Sequence, residues 1–107
     1  MQQAYFTGYV VKDNFDLPHL MQYGFDPIWG HWDFYNYEYT LYKQTDIELI
    51  ILNQFMITSE TRRLYVRAYN GKCLLSEEGK LFIEKLLNEG VIEFEMEMLD
   101  AGDEYEE

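Results

Sequence analysis

The chain has 107 residues, 48% of them hydrophobic and 18% aromatic, and its 20 acids against 8 bases give a formal charge of −12. That length suits one domain, the apolar content excludes wholesale disorder, and the charge opposes unassisted binding to nucleic acid or an anionic membrane. Cys73 alone cannot make an internal disulfide, and with only His19 and His31 beside it there is no Cys/His zinc set, so neither metal nor cofactor is expected and a reducing compartment fits best.

The opening Met1-Gln2-Gln3-Ala4-Tyr5 has no basic region followed by an apolar stretch, and no run approaches the roughly 20 apolar residues of a membrane span. A soluble cytoplasmic protein is therefore expected. Residues 4–12, rich in aromatic and β-branched types and ending at Asp13-Asn14, read as a strand. Asp16 offers a cap, Pro18 an early helical position and Gly24 a stop, which predicts a two-turn helix over 17–23. Asp26-Pro27 and Gly30 read as a loop. From His31 to Lys43 the pattern is that of a strand with Tyr35, Tyr37, Tyr39 and Leu41 on one side.

Residues 47–57 read as a central strand buried on both faces, with Ile47, Leu49 and Ile51 on one side and Ile50 and Leu52 on the other. Thr58 to Thr61 make a turn, Arg62 to Tyr69 alternate again, and Asn70-Gly71 predicts a hairpin returning through Lys72 to Leu75. Ser76 is a helix N-cap, followed by Glu77, Glu78 and an apolar stripe of Leu81, Phe82, Ile83, Leu86 and Leu87 ending near Gly90. Val91 to Leu99 alternates strictly, setting Ile92, Phe94, Met96 and Met98 against Glu93, Glu95 and Glu97. Residues 100–107 have too little apolar content to pack and read as an acidic flexible tail after a single domain at 1–99. The expected fold is α+β: a mostly antiparallel sheet of five to six strands carrying a short N-terminal and a longer C-terminal helix.

Charge is unevenly placed, since residues 86–107 hold nine acids and no base. A strand repeat places the carboxylates of Glu93, Glu95 and Glu97 about 7 Å apart along one line. Such a row resembles a run of phosphates, and the acids Asp100, Asp103, Glu104, Glu106 and Glu107 would extend it. A partner with a basic surface fits this row, whereas direct nucleic-acid or membrane binding does not. The plainer reading is a solvated outer face kept charged against edge pairing.

Arg63, Tyr65, Arg67 and Tyr69 share a strand face and could hold a phosphate, a carboxylate or a base, or pair across the sheet with Glu93, Glu95 or Glu97. The tyrosines from 35 to 39 offer either a contact platform or a surface packed against a helix. Trp29 and Trp32 mark a contact spot or the end of a core, and Asp26 with Asp33 are too common a pair to signal chemistry. No nucleophile elbow, phosphate loop, dinucleotide fingerprint or zinc-protease motif occurs, so an enzyme is not expected.

Arg62 to Asn88, with an arginine-bearing strand, Asn70-Gly71 and Leu75-Ser76-Glu77-Glu78-Gly79-Lys80-Leu81, resembles the wing and following helix of MarR-type regulators. That family needs a helix-turn-helix where residues 31–57 read as strands, and a charge suited to DNA. Over most of its length the chain loosely resembles small uncharacterised acidic proteins of bacteriophages and mobile elements, through Leu20 to Phe25 before aromatic strands and Asn88 to Ile92 after the last helix. The resemblance implies an accessory protein of a bacterial cytoplasm and transfers no functional residue. The leading expectation is a non-enzymatic protein that binds a basic surface of a nucleic-acid-handling host protein, with a structural homo-oligomer as the alternative.

Overall fold

The computed structural model describes residues 4–29, 35–68, 75–95 and 104–105. Among the described residues seven strands form one antiparallel sheet: β1 (Ala4–Val11), β2 (Asp26–Trp29), β3 (Tyr35–Gln44), β4 (Leu49–Thr58), β5 (Arg63–Ala68), β6 (Ile92–Phe94) and β7 (Glu104–Tyr105). Their spatial order is β2-β3-β4-β5-β1-β6, and β7 also pairs with β1. A 3-10 helix, Leu17–Tyr23, and the helix α1, Glu77–Asn88, complete a broadly α+β domain.

The connections follow from local chemistry. The first helix is 3-10: Asp16 occupies its N-cap without a side-chain bond, Pro18 lies in its opening turn, and Gly24 ends it at φ +97°. A side chain at Gly24 would also meet the Tyr39 ring, whose nearest atom is 2.8 Å from an added Cβ. Asp26-Pro27, expected in a loop, belongs to β2 instead. That strand is an edge of the sheet, the one place where a proline's missing N–H leaves no ladder bond unmade. The turn from α1 into β6 is made by Gly90 at φ +76°, with Val91 N–H donating to the Leu86 carbonyl at 2.9 Å.

The core lies between the sheet and the two helices. Val11, Leu20, Phe25, Phe55, Ile57, Leu64, Val66, Ile83, Leu86, Val91 and Ile92 are buried together. Phe82 of α1 stacks on Tyr39 at 4.6 Å and lies 5.1 Å from Phe55 and 5.9 Å from Phe25. Tyr37, Tyr39 and Leu41 thus line the helix-facing side, the packing alternative for the tyrosine stripe. A second small cluster, Ala4, Phe6, Met56 and Tyr65, is buried apart from the main core.

Two expected burials are corrected. Leu81 is 62% exposed, so the packed face of α1 consists of Gly79, Phe82, Ile83, Leu86 and Leu87. The first half of β4 is not buried on both sides: Leu49 is 55% and Ile50 38% exposed. The reason is register: among the described residues β5 pairs with β4 only from Asn53 to Ile57, leaving Leu49 to Ile51 paired with β3 alone and Leu52 at the shift in the β3–β4 register. Within the stretch read as a flexible tail, Glu104 and Tyr105 pair with Tyr5 and Ala4 of β1, and the rest of residues 100–107 lies outside the described residues. The hairpin at Asn70-Gly71 and most of its return strand lie outside them too.

Asn53 ties α1 to the sheet. It is 1% exposed, and its Oδ1 accepts from Ser76 N–H at 3.0 Å and from Ser76 Oγ at 2.8 Å, while Ser76 Oγ accepts from Gly79 N–H at 3.0 Å. A Cβ on Gly79 would stand 2.6 Å from that same Oδ1. Gly79→Ala should therefore lower stability, although alanine in an ordinary helical position adds about 1 kcal/mol. Asn53→Leu should cost about 1–3 kcal/mol by leaving the half-buried Ser76 donors without their acceptor. Urea unfolding of both variants checks these signs; a stabilised Gly79→Ala would mean the contact yields freely.

Candidate functional site

The acidic strand is the outer neighbour of the C-terminal half of β1, with Tyr9 opposite Phe94, Val10 opposite Glu93 and Val11 opposite Ile92. Glu95 continues past β6, its N–H donating to the Gly8 carbonyl at 2.8 Å. Alternation places Ile92 and Phe94 on the helix side and Glu93 and Glu95 on the other. Ile92 is buried, but Phe94 is 59% exposed at the sheet edge, where its ring meets Tyr9 edge-on at 5.9 Å.

Arg63 lies two strands away on β5, with β1 between them, yet its Nε donates to Glu95 Oε1 at 2.9 Å. The guanidinium reaches this position by crossing the Phe6 ring, 4.7 Å from its centroid. Both side chains are about one-third exposed, 28% and 33%, so the pair is partly screened by water. The ring beneath the guanidinium fixes its course and adds a cation–π attraction. The local path of β1 is irregular here, its register against β5 shifting between Phe6 and Val10. Thr7 repairs the ladder, its buried hydroxyl donating to the Leu64 carbonyl at 2.8 Å and accepting from Tyr9 N–H at 3.3 Å.

Tyr65 and Arg67 are also engaged within the sheet. Tyr65 is buried, its ring 5.8 Å from Phe6. Arg67 donates from Nη1 to Gln54 Oε1 at 2.6 Å and from Nη2 to Met56 Sδ at 3.4 Å, and Gln54 Nε2 donates onward to Glu38 Oε1 at 3.1 Å. A polar chain therefore crosses β5, β4 and β3 on the face away from α1. Cross-strand pairing, rather than an open anion cradle, describes Arg63 and Arg67.

Of the expected acidic row, Glu93 is exposed, Glu95 is held by Arg63, and Glu104 is placed by its backbone in β7. Glu97, Asp100, Asp103 and Tyr69 lie outside the described residues, as do His31, Trp32, Asp33 and Cys73. His19 is exposed and meets Phe15 edge-on at 6.0 Å. Among the described residues no group of three His, Cys, Asp or Glu is arranged to hold a metal ion, and no helix is long and apolar enough to cross a membrane.

Two residues with structural weight were not singled out by pattern. Arg62, at φ +64°, donates from Nη2 to the carbonyls of Lys12 and Phe15, both at 2.6 Å, pinning the turn after β1. Tyr23 donates to Glu89 Oε1 at 2.9 Å, joining the 3-10 helix to the end of α1, and this hydrogen bond holds the phenol above its ordinary pKa. Neither partner is near in sequence, so neither contact leaves a local signal.

Comparison of the chain with protein-family models, with curated proteins and with solved structures gives no match in any of the three.

Arg63→Ala should cost more than Glu95→Gln, because it removes both the ion pair and the contact with Phe6. A double-mutant cycle on Arg63 and Glu95 should give a coupling of about 0.2–1 kcal/mol that shrinks with added salt. A larger, salt-insensitive coupling would mean that the pair is effectively dry.

Proposed function

We propose that this protein is a non-enzymatic binding protein, of the accessory kind carried by bacteriophages and mobile elements, that occupies a basic surface of a nucleic-acid-handling protein in a bacterial cytoplasm. The observation that carries this reading is the position of the acid excess: nine acids without a base in residues 86–107, entering the sheet edge through β6 and returning to it through β7. Glu93 stands exposed on that edge, opposite Val10. A concentrated negative field of this kind speeds encounter with a basic groove, and counterion release makes the complex weaken with salt.

The contact between Arg63 and Glu95 refines the mechanism. One carboxylate in the row is neutralised at 2.9 Å, so an evenly charged imitation of a phosphate run is a poorer description than competitive occupation by a locally acidic edge. Arg63 and Arg67 both engage side chains of this chain, which favours a place for them within the sheet over an open anion site.

The test is affinity capture of bacterial proteins on the purified chain at low and high salt, beside a Glu93→Lys, Glu97→Lys variant that keeps the Arg63–Glu95 pair. A basic nucleic-acid enzyme should be retained at low salt, released at high salt and by competing duplex DNA, and lost from the variant. Equal capture by the variant would overturn the acidic edge as the contact surface.

A further inference from the structure

We propose that the outer end of the β3–β4 hairpin is a self-association surface, at which the open edge of β3 beyond Glu38 meets the same edge of a second copy of this chain. β2 covers β3 only from Tyr35 to Glu38, while β3 runs on to Gln44, so from Tyr39 to Gln44 its far edge has no strand partner among the described residues. Such an edge presents unpaired backbone donors and acceptors, and two antiparallel copies related by a two-fold axis satisfy one another.

The side chains at this end are unusual for a solvated hairpin. Ile47 is 89%, Leu49 55%, Tyr42 49% and Ile50 38% exposed, and these are four of the eight exposed large hydrophobics among the described residues. Tyr42 lies opposite Ile51, and Leu49 opposite Gln44, on one face; Ile50 lies opposite Lys43 on the other. Apolar groups therefore flank the open edge on both faces.

The turn that carries Ile47 is ordered. Thr45 N–H donates to the Glu48 carbonyl at 2.9 Å, and Thr45 Oγ1 accepts from Glu48 N–H at 3.0 Å. Gln44 Nε2 donates to the carbonyls of Thr45 at 2.8 Å and Glu48 at 3.2 Å. A closed turn that holds an isoleucine in water is pre-organised for contact, because little chain entropy remains to be lost on binding.

Charge selects the occupant. Residues 39–52 contain Lys43, Asp46 and Glu48, a net charge of −1 out of the chain's −12, so this end has both signs and little field. The acid-rich edge of β6 and β7 lies at the opposite side of the sheet order from β2 and β3. A basic protein is drawn to that far edge, whereas two copies joined at the β3 edge keep their acidic edges apart.

Sedimentation equilibrium of the full chain across concentration and salt tests the proposal. The mass should rise from 12.9 kDa towards twice that value with concentration, and more readily at high salt, where repulsion between the two chains is screened. Ile47→Asp and Leu49→Asp should each weaken association at least about tenfold, with circular dichroism unchanged because both positions face solvent. Leu81→Asp, on the exposed side of α1, should leave association intact. Monomeric mass at every concentration and salt overturns the proposal, as does a dimer that survives both hairpin changes. The opposite salt response separates this association from capture of a basic partner, so either can fail without the other.

Discussion

The architecture depends on one buried amide. Asn53 sits in β4, where a polar side chain with no partner would be costly, and it is kept there because Ser76 brings two donors to its Oδ1. Ser76 in turn caps α1 through Gly79, and Gly79 must lack a side chain for the helix to approach. Sheet, cap and helix are thereby joined in one hydrogen-bonded relay, which sets the height and register at which Phe82 meets Tyr39 and Phe55.

Once α1 is fixed, it determines which surfaces remain for other molecules. It covers the sheet where β4 has β5 as a neighbour, and the hairpin end of β3 and β4 projects past that cover with its apolar residues exposed. At the other side, the return from α1 through Gly90 delivers the acidic segment to the open edge of β1. The acid-rich segment and the exposed apolar hairpin end thus lie at opposite sides of the sheet order. The two proposed contacts, with a basic partner and with a second copy, therefore do not compete for space.

The face opposite α1 is covered differently. It holds the small cluster of Phe6, Met56 and Tyr65, with Arg63 lying over Phe6 and Arg67 against Met56. The guanidinium of Arg63 lies on the Phe6 ring while it reaches Glu95, and that of Arg67 meets Met56 Sδ while it reaches Gln54. The same two residues that suggest an anion site in the sequence are thus each engaged by neighbouring strands.

Local pattern determined the strands at β1, β3, β4 and β5, the Ser76-capped helix, the Gly24 stop and the facing of Glu93 and Glu95, because each depends on side-chain period or on turn and cap chemistry within a few residues. The strand at Asp26–Trp29 was hidden, since a proline is excluded from a strand only when neighbours lie on both sides. The exposure of Leu49 and Ile50 and the isolation of Leu81 were likewise decided by how far β5 pairs with β4 among the described residues and by where α1 rests. Arg63 reaching Glu95 across β1 required the strand order itself, since 32 residues separate the two in sequence. Periodicity states which side of an element a residue takes; only the tertiary structure decides whether that side meets protein or water.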